Sequence, residues 1–531
     1  MKVLLVGPDP RWFEGRLVLK SIQRVFESLS ASLASQCELI RSWEQEVSPS
    51  LLSRVHAIVG TYEALKLRHR FGLDVPVLVV TLGDMPQGGL RLWAYQGLLR
   101  AYDGLSFSCS SDLAIFNRLV ERYNLLVEIV PFSVDCDLFH RHPVDRKQLR
   151  RKWGLPSDQG KCLLYVGRIS LQKNLHMLIR ILEEVVQRTN AFLCIVGVPD
   201  QTPLEEFGSG VEDYFHRLQE GIRQKGLTDR VRFLGFLDGE ALVELYSLSD
   251  VLVNPTLHHD ENFGFAQAEA LSCGLPVVGS KWGGLKDVVL HGETGFLMET
   301  ILTDRGPRLE WRSGVQYILH LLSNGPLWRE MSRRCRARAL SKFSREAVGR
   351  TLRRMLEEMV SRKERGGPDR FPAVQMRKEV LDYIMSRISP DEDGRLRYQA
   401  SQVDDSEEAR WFYRLRMEPY ASMTISEAED VEGSTKPYQA IELSIYSHEG
   451  YAEVTDPLWP GKVYLDRAAL AFLIRADGKK TLHEICAEVG ISEGRGRKMF
   501  RRLLREGLIL SAKEEGRCIP SLMREREPGS T

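Results

Sequence analysis

The chain predicts an α/β protein with two doubly wound parallel sheets and a smaller α+β domain at its C-terminus. Three observations carry that expectation. Short β-branched runs bounded by glycine or proline alternate with helical patterns over the first 300 residues, the rhythm of parallel strands joined by crossover helices. The rhythm restarts near residue 162, after a basic, proline-bounded stretch at 141–156, so there are two such halves. Near the C-terminus it changes to three helical patterns and one apolar strand. At 531 residues the chain is too long for one ordinary core, and length alone suggests about three or four domains.

In the first half, residues 3–6 read as a buried strand and 17–33 as an amphipathic helix. Strands follow at 55–59 and 75–80, and the stretches 102–110 and 127–135 close the half. In the second half, strands at 162–167, Ala191–Val196, 231–235 and 251–253 are separated by helices at Leu175–Val186 and 240–248. Two facing halves leave a cleft, and ligands of open α/β sheets sit outside the carboxyl ends of the strands. Gly167 and Gly197, each following a strand, therefore mark its wall. Helices are expected at 315–322 and 347–360, and the dense arginines of 327–365 as a solvated helical face. A glycine/proline break at 365–370 ends this unit. The expected division is 1–150, 151–365, a linker or irregular region at 366–440, a compact domain at 441–515 and a tail at 516–531.

Composition narrows the class. The chain is 43% apolar and 27% charged, as soluble globular proteins are. A net charge of +1 gives no general attraction to nucleic acid or membrane. Nine cysteines stand without a C-x-x-C pair, and Cys162, Cys194 and Cys273 fall in apolar patterns where cysteine acts as a small core residue. The N-terminus is too short in apolar residues for a signal segment. No run approaches the ~18 apolar residues of a membrane span. The expectation is a cytoplasmic protein, peripheral to a membrane at most, with no integral span.

The most informative stretch is 252–279. It reads as a strand ending at Pro255, a loop with exposed acids, a short helix from Phe265, a glycine stop and another strand. Glu261 sits in the loop and Glu269 on the helix, with Asn262, Phe263 and Gly264 between them. Gly264 lets backbone approach a ligand, and the helix N-terminus offers N–H groups to phosphate or sugar oxygens. Upstream, Gly167-Arg168 and Lys173 place an arginine fork and a lysine point charge just past a strand.

The spacing Glu261-x7-Glu269, Gly274-x-Pro276-Val-Val, Gly283-Gly284, Asp287 and Gly292-x-Thr294-Gly295-Phe296, with Gly167-Arg168-x4-Lys173, resembles the retaining, nucleotide-sugar-dependent glycosyltransferases of group 1. The resemblance implies the GT-B fold, two facing Rossmann-like domains with a central cleft: an acceptor-side domain at 1–150 and a nucleotide-sugar-binding domain at 151–365, whose last helix crosses back. It implies catalytic roles for Glu261, Arg168 and Lys173. Arg168 and Lys173 hold the donor diphosphate. Gly167, Asn262, Phe263, Gly264 and Phe265 help bind the donor, and Glu269 takes the ribose hydroxyls. The donor substrate is a nucleoside-diphosphate sugar, and no cofactor or metal is expected to be required, on the reading that an Asp-x-Asp metal-binding pair is lacking and that Arg168 and Lys173 neutralise the leaving group instead.

The first half departs from that family. The glycine-rich loop after the first strand is reduced to Gly7 and Gly15, the Asn-Gly-Val-Asp type turn reads Phe132-Ser133-Val134-Asp135, and Thr81-Leu-Gly83-Asp84 replaces a stretch that carries a histidine beside the donor sugar. Asp84, His258 and His259 are acceptor-side candidates, and the acceptor is not specified. At the other end, residues 464–510 have the helix and strand order of a winged helix and resemble the PqqD-like domains that grip leader peptides. That implies a leader peptide or partner protein, and a peptide or natural-product intermediate as acceptor. The alternative is a degenerate transferase half serving a peptide- or DNA-binding module. Arg495, Arg497, Lys498, Arg501, Arg502 and Arg505 crowd one segment, but a short basic helix is ordinarily a solvated face, so nucleic acid is not the expected partner.

Overall fold

The computed structural model describes residues 1–8, 20–43, 47, 54–156, 160–200, 214–366, 373–390, 396–398, 406–423, 425–440, 443–448, 451–456 and 459–511. Two parallel six-stranded sheets form its body. The first runs, edge to edge, Glu38–Trp43, Lys2–Gly7, Ala57–Gly60, Val77–Val80, Gly104–Phe107 and Leu126–Ile129. Its inner strands are buried on both faces, which a sheet covered by crossover helices requires. The strand Glu38–Trp43 was not expected. Its polar residues suit an edge, where Lys2 pairs with Glu38 at 2.7 Å. A buried ion pair fixes the other side: Arg68 reaches Asp103 at 2.5 Å, and Asp103 also accepts the amides of Val77 and Arg100.

The second sheet runs Val231–Phe233, Ala191–Val196, Lys161–Val166, Val251–Asn254, Val277–Ser280 and Gly295–Met298. In chain order this is 3-2-1-4-5-6, so the order reverses between Lys161–Val166 and Val251–Asn254. A crevice opens at the carboxyl ends of those two strands. Helix Leu175–Val186, found where periodicity places it, buries Leu178, Ile181, Leu182 and Val185 beneath the sheet.

The long helix Arg345–Arg365 returns onto the first half and packs along Lys20–Ala34. Lys363 pairs with Asp74 at 3.3 Å, and Arg353 donates to the Gln36 carbonyl. The arginines before it differ from the expected solvated face. Helix Gly325–Arg338 turns Arg336 inward, where it donates to the carbonyls of Cys136, Phe139 and Ser272. Arg338 likewise holds the carbonyls of Val288 and Asp287.

The stretch 366–440, expected as a linker or irregular region with a helix near 379–387, carries that helix at Lys378–Ser386 and further elements besides. Strand Val374–Met376 pairs antiparallel with Val120–Tyr123, and helices Lys378–Ser386 and Glu407–Met417 follow. Residues 412–423 then run as a strap across both halves. Phe412 packs beneath Gly88, and Arg416 donates to the Pro86 carbonyl at 2.7 Å on the first half. Tyr420 is fully buried, donates to Asp112 at 2.7 Å, and meets the Trp282 ring of the second half edge-on at 5.6 Å. Lys286 donates to the Pro419 carbonyl, and the Gly283 amide to that of Tyr420. Turn and loop signals do not reveal such a strap, because its anchors are single side chains far apart in sequence.

The C-terminal domain has a three-stranded antiparallel sheet, Ser444–Ser447, Tyr451–Asp456 and Trp459–Asp466, which was not expected. Helices Arg467–Arg475, Leu482–Val489 and Glu493–Arg505 follow, the second opened by a Thr481/Glu484 capping box. Strand Ile509–Ser511 closes against Pro437–Gln439. The domain is docked on the second half: the Tyr438 hydroxyl donates to Glu310 at 2.8 Å, Arg308 to the Gly507 carbonyl at 2.9 Å, and Arg305 pairs with Glu506 at 2.5 Å. The reduced glycine loop up to Gly15 and the tail at 516–531 lie outside the described residues.

Replacing Tyr420 by Ala removes a buried ring and should cost about 3–5 kcal/mol in urea denaturation. Tyr420→Phe, losing only the hydroxyl, should cost about 1 kcal/mol. An Ala variant as stable as wild type would mean that the strap does not hold the halves.

Candidate functional site

Each residue at the crevice is placed by the strand that ends beneath it. Lys161–Val166 stops at Gly167, and the chain turns through Arg168 into a short 3-10 turn, Leu171–Lys173. Asn174 adopts a left-handed conformation (φ 61°) and donates to the Pro255 carbonyl, tying this turn to the end of the neighbouring strand. Val251–Asn254 runs out at Pro255 into the loop that carries His258 to Gly264. Both loops therefore meet where the strand order reverses.

There Lys173 Nζ lies 2.5 Å from Glu261 Oε2, and Thr256 Oγ1 donates to the same oxygen at 3.1 Å. Glu261 is buried, not the exposed acid expected of this loop. Arg168 pairs with Asp200 and comes within 3.3 Å of His258 Nε2. His258 accepts the Asp260 amide at Nδ1, and burial, reinforced by Lys173, pushes its pKa well below the ordinary value. The ring is thus neutral at physiological pH. His259 stacks on it at 4.9 Å between centroids.

The backbone under Glu261 is gripped from below by Gly283 and Gly284. A Cβ on Gly283 would stand 2.3 Å from the Glu261 carbonyl, and one on Gly284 2.5 Å from that of Asn262. No other residue fits either position without moving the loop. Ser108 of the first half donates to the Asn262 carbonyl. Phe263 and Phe265 pack with Phe132, at 5.5 and 5.7 Å, and so join the loop to the crossover between halves. Gly264 (φ 93°) starts the helix Phe265–Ser272.

Glu269 lies on that helix, 1% exposed. It accepts the Tyr246 hydroxyl at 2.9 Å and pairs with Arg24 of the first half, whose guanidinium also lies over the Phe265 ring at 5.0 Å. Asp84 stands apart from this group. Its carboxylate accepts the amides of Arg91 and Leu92 at 2.8 and 3.1 Å, as a cap on helix Leu90–Tyr95. The expected lack of an Asp-x-Asp pair is corrected by the chain itself: the spacing occurs at Asp135 and Asp137, where Arg345 meets both (2.5 and 3.9 Å), and at Asp391 and Asp393, outside the described residues.

Two acids that sequence reading passed over stand at the cleft. Burial pushes Asp112 up to about 7 and Asp260 up to about 8. Neither belongs to a motif, so only the fold brings them forward. Arg24 and Tyr420 were missed for the same reason.

Residues 145–337 match the family described as Glycosyl transferases group 1. An uncharacterized glycosyltransferase of Methanocaldococcus jannaschii is 33% identical over 184 residues, 34% of this chain and 42% of that protein. A D-inositol 3-phosphate glycosyltransferase 2 of Catenulispora acidiphila is 32% identical over 226 residues, 41% and 49%. An N-acetyl-alpha-D-glucosaminyl L-malate synthase of Bacillus anthracis is 29% identical over 205 residues, 38% and 47%. The chain thus spans about half the length of the curated relatives it matches. Among solved structures, a sucrose-phosphate synthase from Thermosynechococcus elongatus shares the fold at TM-score 0.52 and 19% identity, covering 68% of this chain and all of that one. Anabaena HepE in complex with UDP does so at 0.51 and 20%, covering 67% and 100%. The two facing domains of this chain are therefore of the GT-B type. Among the described residues, no helix is long and apolar enough to cross a membrane.

The raised Asp112 carboxyl makes stability depend on pH. Its folded pKa of about 7 exceeds the ordinary 3.8, so its contribution is full below the unfolded value and is lost as pH rises through the folded one. The melting temperature of Asp112→Asn should fall less between pH 4 and 7 than that of wild type. Parallel curves would contradict the assignment.

Proposed function

We propose that the chain is a retaining glycosyltransferase that moves a sugar from a nucleoside-diphosphate sugar to a hydroxyl of its acceptor. The observation that carries this reading is the convergence of Arg168, Lys173 and Glu261 at the strand switch point of a group 1 domain. The bond from sugar C1 to the diphosphate breaks with its electron pair going to phosphate, and Arg168 and Lys173 neutralise that charge in a water-poor cleft. The acceptor oxygen bonds C1 on the same face, and its proton passes to the departing phosphate oxygen. Glu261, with the Phe263–Gly264 backbone beside it, meets the sugar and phosphate. Glu269 exchanges Arg24 for the ribose hydroxyls. In this reading the protein cations replace a metal at the diphosphate, so chelator leaves turnover unchanged. Relatives named for inositol 3-phosphate and L-malate products support a small hydroxyl-bearing acceptor, and the reaction is placed in the cytoplasm.

A thermal-shift screen of UDP-, GDP- and ADP-sugars on the full chain tests the reading. One donor should raise the melting temperature of wild type, with a smaller rise for Glu269→Ala. With that donor, Lys173→Ala should lose about 100-fold or more in kcat. No shift with any donor would argue against it.

The C-terminal domain supports a second role, capture of a peptide. Tyr446 and Tyr464 are 56% and 55% exposed on one row of its sheet, flanking Glu453. The basic helix gives DNA less: Arg505 pairs with Glu429, and Arg502 donates to the Tyr464 carbonyl. Selection of displayed random peptides on the full chain should yield binders that Tyr446→Ala and Tyr464→Ala lose. Binders indifferent to both would count against peptide capture on this face.

A further inference from the structure

In the His258–Gly264 loop, the Asp260 carboxyl reaches across the cleft to Gly83 of the first half. A Cβ placed on Gly83 would stand 2.6 Å from its Oδ2 and 3.1 Å from its Oδ1. The carboxyl therefore occupies the space that a side chain at position 83 would fill. Its own backbone amide is committed to His258 Nδ1, which fixes the loop beneath it. Its Oδ1 is buried with no hydrogen-bond partner, and a buried oxygen left that way is destabilising. Such an orphan calls for a ligand atom.

We propose that Asp260 binds the donor's sugar ring, its free carboxyl oxygen taking a ring hydroxyl opposite Gly83. The inference rests on the donor reading given above. Position and charge select the sugar. The diphosphate belongs with Arg168 and Lys173, and a carboxyl would not favour its charge. The sugar then extends from those cations, past Glu261, toward the first half, and Asp260 stands at that side. Burial, with the negative charges of Asp112 and Glu261 nearby, pushes the Asp260 carboxyl up to about 8, so it carries its proton at neutral pH. A neutral carboxyl both donates and accepts, as a hydroxyl partner requires.

The test compares, for the full chain, affinity for the best-bound nucleotide sugar with affinity for its parent nucleoside diphosphate, by calorimetry. Asp260→Ala should weaken the nucleotide sugar about tenfold and leave the diphosphate unchanged, which also reports an intact fold. Asp260→Asn, which keeps a donor and an acceptor, should stay within about threefold of wild type. Gly83→Ala, whose methyl would displace the carboxyl, should reproduce the selective loss. If Asp260→Ala keeps the wild-type ratio, the hydroxyl belongs to the acceptor or to nothing, and the inference fails while the donor reading stands. If wild type binds neither probe, both fail.

Discussion

Everything at this cleft depends on a half-buried lysine that is paired. Lys173 is held at the end of the second sheet's first strand, where an unpaired ammonium would lose its hydration without compensation. Glu261 answers it at 2.5 Å, and Thr256 satisfies the same carboxylate. That pair needs the Glu261 loop to fold back over the adjacent strand end. The loop can do so because Gly283 and Gly284 admit its backbone at distances that exclude any side chain. The topology brings the two strand ends together, and the ion pair decides how their loops close. In the proposed reading, the diphosphate of the donor meets cations already oriented, so little reorganisation is left for the reaction itself.

The second constraint is closure of the two halves. Helix Arg345–Arg365 crosses back to the first half, Arg336 and Arg338 hold the carbonyls around the crossover, and the strap at 412–423 spans the other side of the cleft. Tyr420 touches both halves, through Asp112 and Trp282, and so does the Pro419 carbonyl, through Ser111 and Lys286. Arg24 adds an ion pair to Glu269 across the halves. Stability and access are thus opposed: contacts that hold the halves together stand where substrates have to enter. In the proposed reading, a donor ribose has to offer Glu269 at least what Arg24 offers it.

Much of this was legible from residue order, for identifiable reasons. Strands such as Ala191–Val196 are buried on both faces and read as unbroken apolar runs. Leu175–Val186 repeats its apolar residues at helical spacing. That Arg168, Lys173 and Glu261 stand on neighbouring strand-end loops followed from glycine-ended strands and a family spacing. What escaped has no local signature. Glu38–Trp43 is an edge strand with polar residues. Arg24, Asp112 and Asp260 are single charges whose partners lie far along the chain. The inward arginines of Gly325–Arg338 look, in sequence, like any solvated helix. Tyr420 sits in a stretch whose polar surroundings read as linker, and only tertiary packing makes it an anchor.

Amide hydrogen exchange on the full chain, with and without a bound nucleotide sugar, tests the central claim most directly. The account predicts new protection in two segments, 167–174 and 258–269, where the strand order of the second sheet reverses. Protection confined to 437–511, with those two loops unchanged, would contradict it.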